Sequence, residues 1–246
     1  MVWTEITREE HAGKGRSFAS LSDGEWAQIE PHLPARKRLG RPRQVDLRRV
    51  VDALMYILAT GCQWRALPRE FPPRSTVQRY FYAWCGSWGF LEGLVRQVRL
   101  ALGRSPEPSL AIIDSQSVKT TESGGPRGLD PYKRIRGRKR HIVTDGQGLP
   151  LVMQVHAASI QYGHGAVPLL RSLRQLHPTL RHILADRVYR GRQLPGALAD
   201  CGPWDIRIVQ RPQGVKGFQL LEKRWVVERT FAWLGRSRCL AKDFEA

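Results

Sequence analysis

The chain is 246 residues long, with 40 Lys+Arg against 22 Asp+Glu, a formal net charge of +18 and a pI near 10.7. Its 41% hydrophobic content supplies the core of one large or two small domains, and so cationic a field makes a polyanion, nucleic acid above all, the expected partner. Cys62, Cys85, Cys201 and Cys239 form no C-x-x-C pair, which excludes a zinc ribbon or disulfide framework; the longest apolar run, Val50 to Ala59, is broken by Asp52 and too short for a bilayer, so a cytoplasmic, nucleoid-associated protein is expected.

Residues 1–20 read as a polar leader. Ser22 and Glu25 make a capping box that opens a helix bearing Trp26 and Ile29, stopped by Pro31 and Pro34. The basic stretch ARKRLGRPRQ follows; within it GRPR, extended at Pro42 and flanked by Arg41 and Arg43, has the shape of a minor-groove arm and equally of an ordinary basic loop. Asp46 caps a second helix with Val50, Val51, Leu54, Ile57 and Leu58 on one face, ended by Gly61. Ser75 and Gln78 suggest another capping box before Val77, Tyr80, Phe81 and Trp84, with Arg79 on the outer face, and residues 89–102 read as a further helix before the linker RSPEPS. Residues 21–105 thus form an all-helical domain of helix-turn-helix type, a pattern shared with bundles that bind no DNA.

From Ser109 the pattern alternates. Strands are expected near 109–117, 140–145, 150–157, 182–187 and 204–211, and helices near 164–176, 191–200 and 219–236. A meander followed by βαβ units is the order of a ribonuclease H-like α/β fold, a mixed sheet flanked by helices, here over residues 106–246. In that fold carboxylates on the first strand, just after the fourth and on the last helix converge at one sheet edge. Asp114 behind Ala111-Ile112-Ile113, Asp186 behind Ile183-Leu184-Ala185, and Glu228 in RWVVERTFAWL occupy those places. A carboxylate at the end of a buried strand is costly unless a cation offsets it, so the three are candidates to hold two divalent ions at a phosphodiester; singly, each is also explained as a turn cap or as an i, i+4 ion pair of Glu228 with Arg224.

Between the first two strands lies TTESGGPRGLDPYKRIRGRKRH, whose run from Lys133 to Arg140 is either a solvated arm or a phosphate contact beside the site. Lys119, Arg138, Lys139, Arg140 and Arg224 are taken with Arg41, Arg43 and Arg79 as the DNA-contacting set.

Seven segments together are highly specific: LSDGEWAQIEPHLP, GRPRQVDLRRVVDALMYILATGCQWRALP, FPPRSTVQRYFYAW, IDSQSVKTTESGGPRG, GRKRHIVTD, RHILAD and RWVVERTFAWLGRSRCLAKDFE. Through them the chain is similar, over nearly its whole length, to bacterial insertion-sequence transposases with a DDE triad, specifically the insertion sequence five family. The resemblance implies that Asp114, Asp186 and Glu228 are that triad, that they bind two Mg2+ or Mn2+ ions, and that a synaptic homodimer cuts and joins double-stranded DNA at terminal inverted repeats. It leaves open a nuclease of the same fold without strand transfer, and an inactive DNA-binding remnant.

The chain departs from the family pattern at four places. Leu221 and Gly235 stand where a tyrosine and a lysine are usual, while Arg224 is kept. SIQYGHGA replaces an aspartate-bearing tract, and Val188 replaces a small residue after the second aspartate. Relatives continue beyond Ala246 into further helix. Two expectations follow: strain at Val188 if that turn needs a positive φ, and partial uncovering of Phe231 and Leu234.

Overall fold

In the computed structural model, residues 20–35, 43–85, 88–121, 124–190, 193–210 and 223–241 are described; Arg41 and Leu221 lie outside them. The chain divides into two compact units, residues 1–85 and 86–246.

The first unit is helical: α1 (Asp23–Ile29), α2 (Leu47–Thr60) and α3 (Arg74–Trp84), with short 3-10 turns between them. Ser22 and Glu25 close the expected capping box, Asp46 caps α2 through the Arg48 N–H, and Gly61 ends α2 at φ 65°, a left-handed position that glycine adopts without a Cβ penalty. Leu47, Val50, Ala53 and Ile57 bury one face of α2. Arg48 fastens α1 to it, 2.6 Å from Asp23 and donating to the Leu21 carbonyl at 2.7 Å. The second capping box does not form: Pro73 precedes α3 and no side chain caps it, because the helix begins one residue before Ser75. Arg79 is exposed beside Tyr80, and Arg43 donates to the Pro34 carbonyl at 3.3 Å.

In the second unit, α4 (Trp88–Ala101) precedes β1 (Leu110–Lys119), β2 (Gly128–Asp130), β3 (Ile135–Asp145), β4 (Pro150–Ala157), α5 (Tyr162–Leu176), β5 (His182–Asp186), α6 (Gln193–Ala197), β6 (Asp205–Val209), α7 (Arg224–Arg236) and α8 (Arg238–Ala241). The helix over 88–101 therefore belongs to this unit; Arg99 is buried there in an ion pair with Asp145. The sheet runs β4-β3-β1-β5-β6, with β2 on the outer edge of β3. β3 is antiparallel to β1 and β4, while β5 and β6 run parallel to β1. That is the ribonuclease H-like order, mixed and flanked by helices.

Alternation along the central strands sorts two cores. Ala111, Ile113, Val143 and Ile183 face α4 and α5, whereas Ile112, Ile142 and Leu184 face Val226, Val227 and Phe231 of α7. Phe231 is only 7% exposed, with the Arg140 guanidinium 5.6 Å from its ring centre, whereas Leu234 is half-buried, so the expected uncovering is confined to Leu234.

The basic run is the largest correction to the sequence reading. It is no solvated arm: Ile135 to Arg140 are the first half of β3, paired with β1 on one side and with β2 and β4 on the other. A Cβ at Gly137 would collide with the Val118 carbonyl oxygen, which is why the strands can approach so closely there.

Candidate active site

Asp114 and Asp186 meet because two neighbouring strands separate at that point. The parallel register of β1 and β5 runs from Leu110 opposite His182 to Ile113 opposite Ala185, so the next residue on each strand is one of the two aspartates. Asp114 lies in the middle of a ten-residue strand and not at its end as expected, since β1 continues to Lys119 along β3. Both carboxylates follow Ile112 and Leu184 onto the α7 face, where they line a small cleft with Val209, Arg224 and Val227.

Burial raises the Asp114 carboxyl from 3.8 to about 6, and the Asp186 charge adds to the rise; the Ser115 N–H, donating at 2.7 Å, and the charges of Lys133 and Arg224 oppose it. Asp186 ends β5 and accepts from the Arg187 N–H at 2.5 Å, capping the 3-10 turn Arg187–Tyr189. Val188 sits in that turn. Among the described residues only Arg134 and Lys223 are non-glycines at positive φ, so the strain expected at Val188 is absent.

Arg224 opens α7 and lies between the acids, with Nη2 3.0 Å from Asp186 Oδ2 and Nε 3.1 Å from Glu228 Oε1. Glu228 is 55% exposed at its side chain. The helix is fixed by Thr230 Oγ1, which donates to the Gly148 carbonyl at 2.8 Å, and by Arg229, which donates to the Gln147 carbonyl at 2.6 Å. Among the described residues no three His, Cys, Asp or Glu side chains stand close enough to hold one ion. Asp114 and Asp186 come together, and Glu228 joins them through Arg224. The aspartate pair suits a hard cation: two oxygen donors on adjacent strands, with Asp114 desolvated and in no ion pair among the described residues.

The expected DNA contacts behave differently from one another. Lys119 is exposed, and Arg138 donates to the Gly124 and Pro126 carbonyls at 3.0 and 3.3 Å. Arg140 is held by Gln116 and by the Leu240 carbonyl at 2.6 Å. Lys139 cannot serve as expected. It is 1% exposed, 3.4 Å from Asp130, donates to the Ile160 carbonyl at 2.9 Å and lies 3.9 Å from the Tyr162 ring centre. As a β3 residue its side chain faces the core, where the run's overall charge gives no hint of burial.

The family models "Putative transposase of IS4/5 family" and "Transposase DDE domain" match residues 21–108 and 105–246. The chain belongs to the transposase DDE domain family. It is 38% identical over 127 residues to a Burkholderia cepacia protein described as "Putative transposase for insertion sequence element IS402", a match covering 48% of this chain and 59% of that one. The chain thus spans about 59% of that relative's length. A Sinorhizobium fredii protein, y4sN, is 26% identical over 99 residues, covering 40% of this chain and 75% of that one. Among solved structures, a Mos1 transposase paired-end complex with left transposon end matches at TM-score 0.27 and 10% identity, covering 82% of this chain and 70% of that one. No helix among the described residues is long and apolar enough to cross a membrane.

Proposed function

We propose that this DDE-family chain is the transposase of an insertion sequence, with the helical unit over residues 21–85 recognising terminal inverted repeats and the unit over residues 86–246 cutting and joining the DNA as a homodimer. The observation that supports it most is the juxtaposition of Asp114 and Asp186 where β1 and β5 part, within a chain of charge +18 suited to polyanions.

Asp114, Asp186 and Glu228 would hold two Mg2+ or Mn2+ ions. When bound, these supply a nucleophile at neutral pH and offset charge developing at phosphorus. The chain's own part is positioning. The sheet fixes the aspartates, and Arg224 holds Asp186 and Glu228 in one ion-paired set. A DNA phosphate that competes for this guanidinium frees Glu228 to join the aspartates.

The test uses the purified chain, labelled DNA from the flanks of its gene, a target plasmid and Mg2+ or Mn2+. Metal-dependent cleavage with joining to the target, lost in Asp114→Ala while DNA binding persists, is the expected result. Cleavage without joining would indicate a nuclease, and binding without cleavage an inactive remnant.

A further inference from the structure

The turn between β2 and β3 is built to hold one side chain in place. Asp130 is fully buried at the end of β2. Its Oδ2 accepts from Ser117 Oγ at 2.5 Å and Tyr162 Oη at 3.1 Å, and lies 3.4 Å from Lys139 Nζ. Its Oδ1 accepts from the N–H groups of Tyr132 and Lys133 at 3.0 and 3.2 Å, which closes the turn, and Arg134 follows at φ 52°. These groups hold the Asp130 carboxyl below its usual range despite burial. Backbone and buried charge together therefore fix the turn without help from the Lys133 side chain.

That side chain reaches back across the sheet. Lys133 Nζ donates to the Ser115 carbonyl at 3.0 Å, next to Asp114, and stands 6.0 Å from the Tyr162 ring centre. An ammonium has three donors. Among the described residues this one contacts a single neutral carbonyl and is in no ion pair, although the residue is exposed. Lys139, only six positions on, has its charge matched by Asp130. Of the basic run, then, Lys133 holds its charge at the catalytic edge, where it acts on the Asp114 carboxylate through space without pairing to it, whereas Arg224 is already engaged with Asp186 and Glu228.

We propose that Lys133 binds the phosphate being cut or one of its immediate neighbours, using the donors left free by the Ser115 carbonyl. The inference rests on the transposase reading for the identity of the polyanion, but not on catalysis. Strand cleavage brings a phosphodiester beside Asp114, and a compact ammonium serves there as a point charge.

The decisive experiment is a binding cycle in EDTA, where no metal acts. DNA ends carrying a neutral methylphosphonate at the scissile phosphate or at either neighbour are titrated against the unsubstituted chain, Lys133→Met, Lys133→Arg and Lys139→Met. Lys133→Met should bind ordinary DNA roughly tenfold more weakly and lower the salt slope by about one. At one of the three positions the methylphosphonate should weaken the unsubstituted chain by a similar factor and Lys133→Met no further. Lys133→Arg should restore most of the loss at unchanged Tm, and Lys139→Met should lower Tm and leave the slope unchanged. Multiplying losses at all three positions, or a Lys133→Met defect that appears only as lowered Tm, overturns the assignment. Failure of metal-dependent cleavage alongside intact coupling would sink the transposase reading and leave the phosphate site standing; no binding to any DNA would end both.

Discussion

Arg224 Nη2 stands 3.0 Å from Asp186 Oδ2, and the same guanidinium reaches Glu228 one turn further along α7. A cation of the protein's own therefore lies where carboxylates would otherwise repel one another. It has two consequences of opposite sign: it orients the acids, and it competes with metal for them.

Arg224→Ala should accordingly bind Mn2+ a few-fold more tightly while cleaving DNA on the order of a hundredfold more slowly, because the acids gain free charge and lose their alignment. Arg224→Lys should cleave poorly as well, since one ammonium cannot reproduce a guanidinium fork. Calorimetric Mn2+ titration and single-turnover cleavage separate the two effects. Weaker Mn2+ binding in Arg224→Ala would show that Arg224 does not compete with the ion.

Asp114 trades stability for chemistry. Its carboxylate is desolvated and next to Asp186, so in EDTA at pH 8 Asp114→Asn should stabilise the fold by about 1 to 3 kcal/mol, a rise of several degrees in Tm, while abolishing cleavage. Saturating Mg2+ should erase the advantage by stabilising only the unsubstituted chain. Thermal melts with and without Mg2+ check this, and an equal or lower Tm for Asp114→Asn in EDTA contradicts it.

Much of this was legible in the sequence, for reasons that differ by element. The apolar runs before Asp114 and Asp186 mark buried strands, and the alternation after Ser109 sets their order, so the two aspartates could be placed together without coordinates. The role of residues 133–140 was hidden, because a run of like charges masks the two-residue alternation that puts Lys139 and His141 inside and Arg138 and Arg140 at the flanks. One signal was available: Asp130 followed by Pro131 is a turn signature, and a turn there implies a strand after it. The missing cap at Ser75 has a similar cause, since Pro73 already supplies the helix start.

The Asp130–Lys139 pair should behave as a buried unit. Each partner offsets the other's desolvation, so Asp130→Asn and Lys139→Met should each cost about 3 to 5 kcal/mol by leaving a buried charge or an unfilled acceptor set. The double variant should recover at least half of the summed loss. Urea denaturation of all four proteins gives the coupling directly; strict additivity would show that the two charges do not depend on each other.

The fold should also be acid-sensitive through His141. This residue is fully buried on the α5 side of β3, its ring 4.8 Å from that of His156 and near Tyr162 and Tyr189, with Lys139 and Lys133 the charged groups closest around it. The Gly165 backbone acts on the His141 ring as a hydrogen-bonding group that favours its charged form, too weakly to offset burial, and a Cβ on Gly165 would collide with both imidazoles. Burial, reinforced by His156, lowers its pKa from 6.5 to about 3. The unfolded chain therefore takes up a proton below pH 6.5 that the folded chain refuses until near pH 3, so stability is full above 6.5 and falls with pH across that window, by about 2 kcal/mol at pH 5. Asp114 acts with the opposite slope between 6 and 3.8, because there the folded form holds a proton that the unfolded form has lost. The two nearly cancel in the unsubstituted chain, so the effect is best read in Asp114→Asn, where stability should decline steadily from pH 6.5 downward. Adding His141→Phe, a ring of similar size that cannot titrate, should flatten that decline. Denaturant midpoints from pH 7.5 to 4.5 measure it, and an unchanged slope in the double variant would place the acid sensitivity elsewhere.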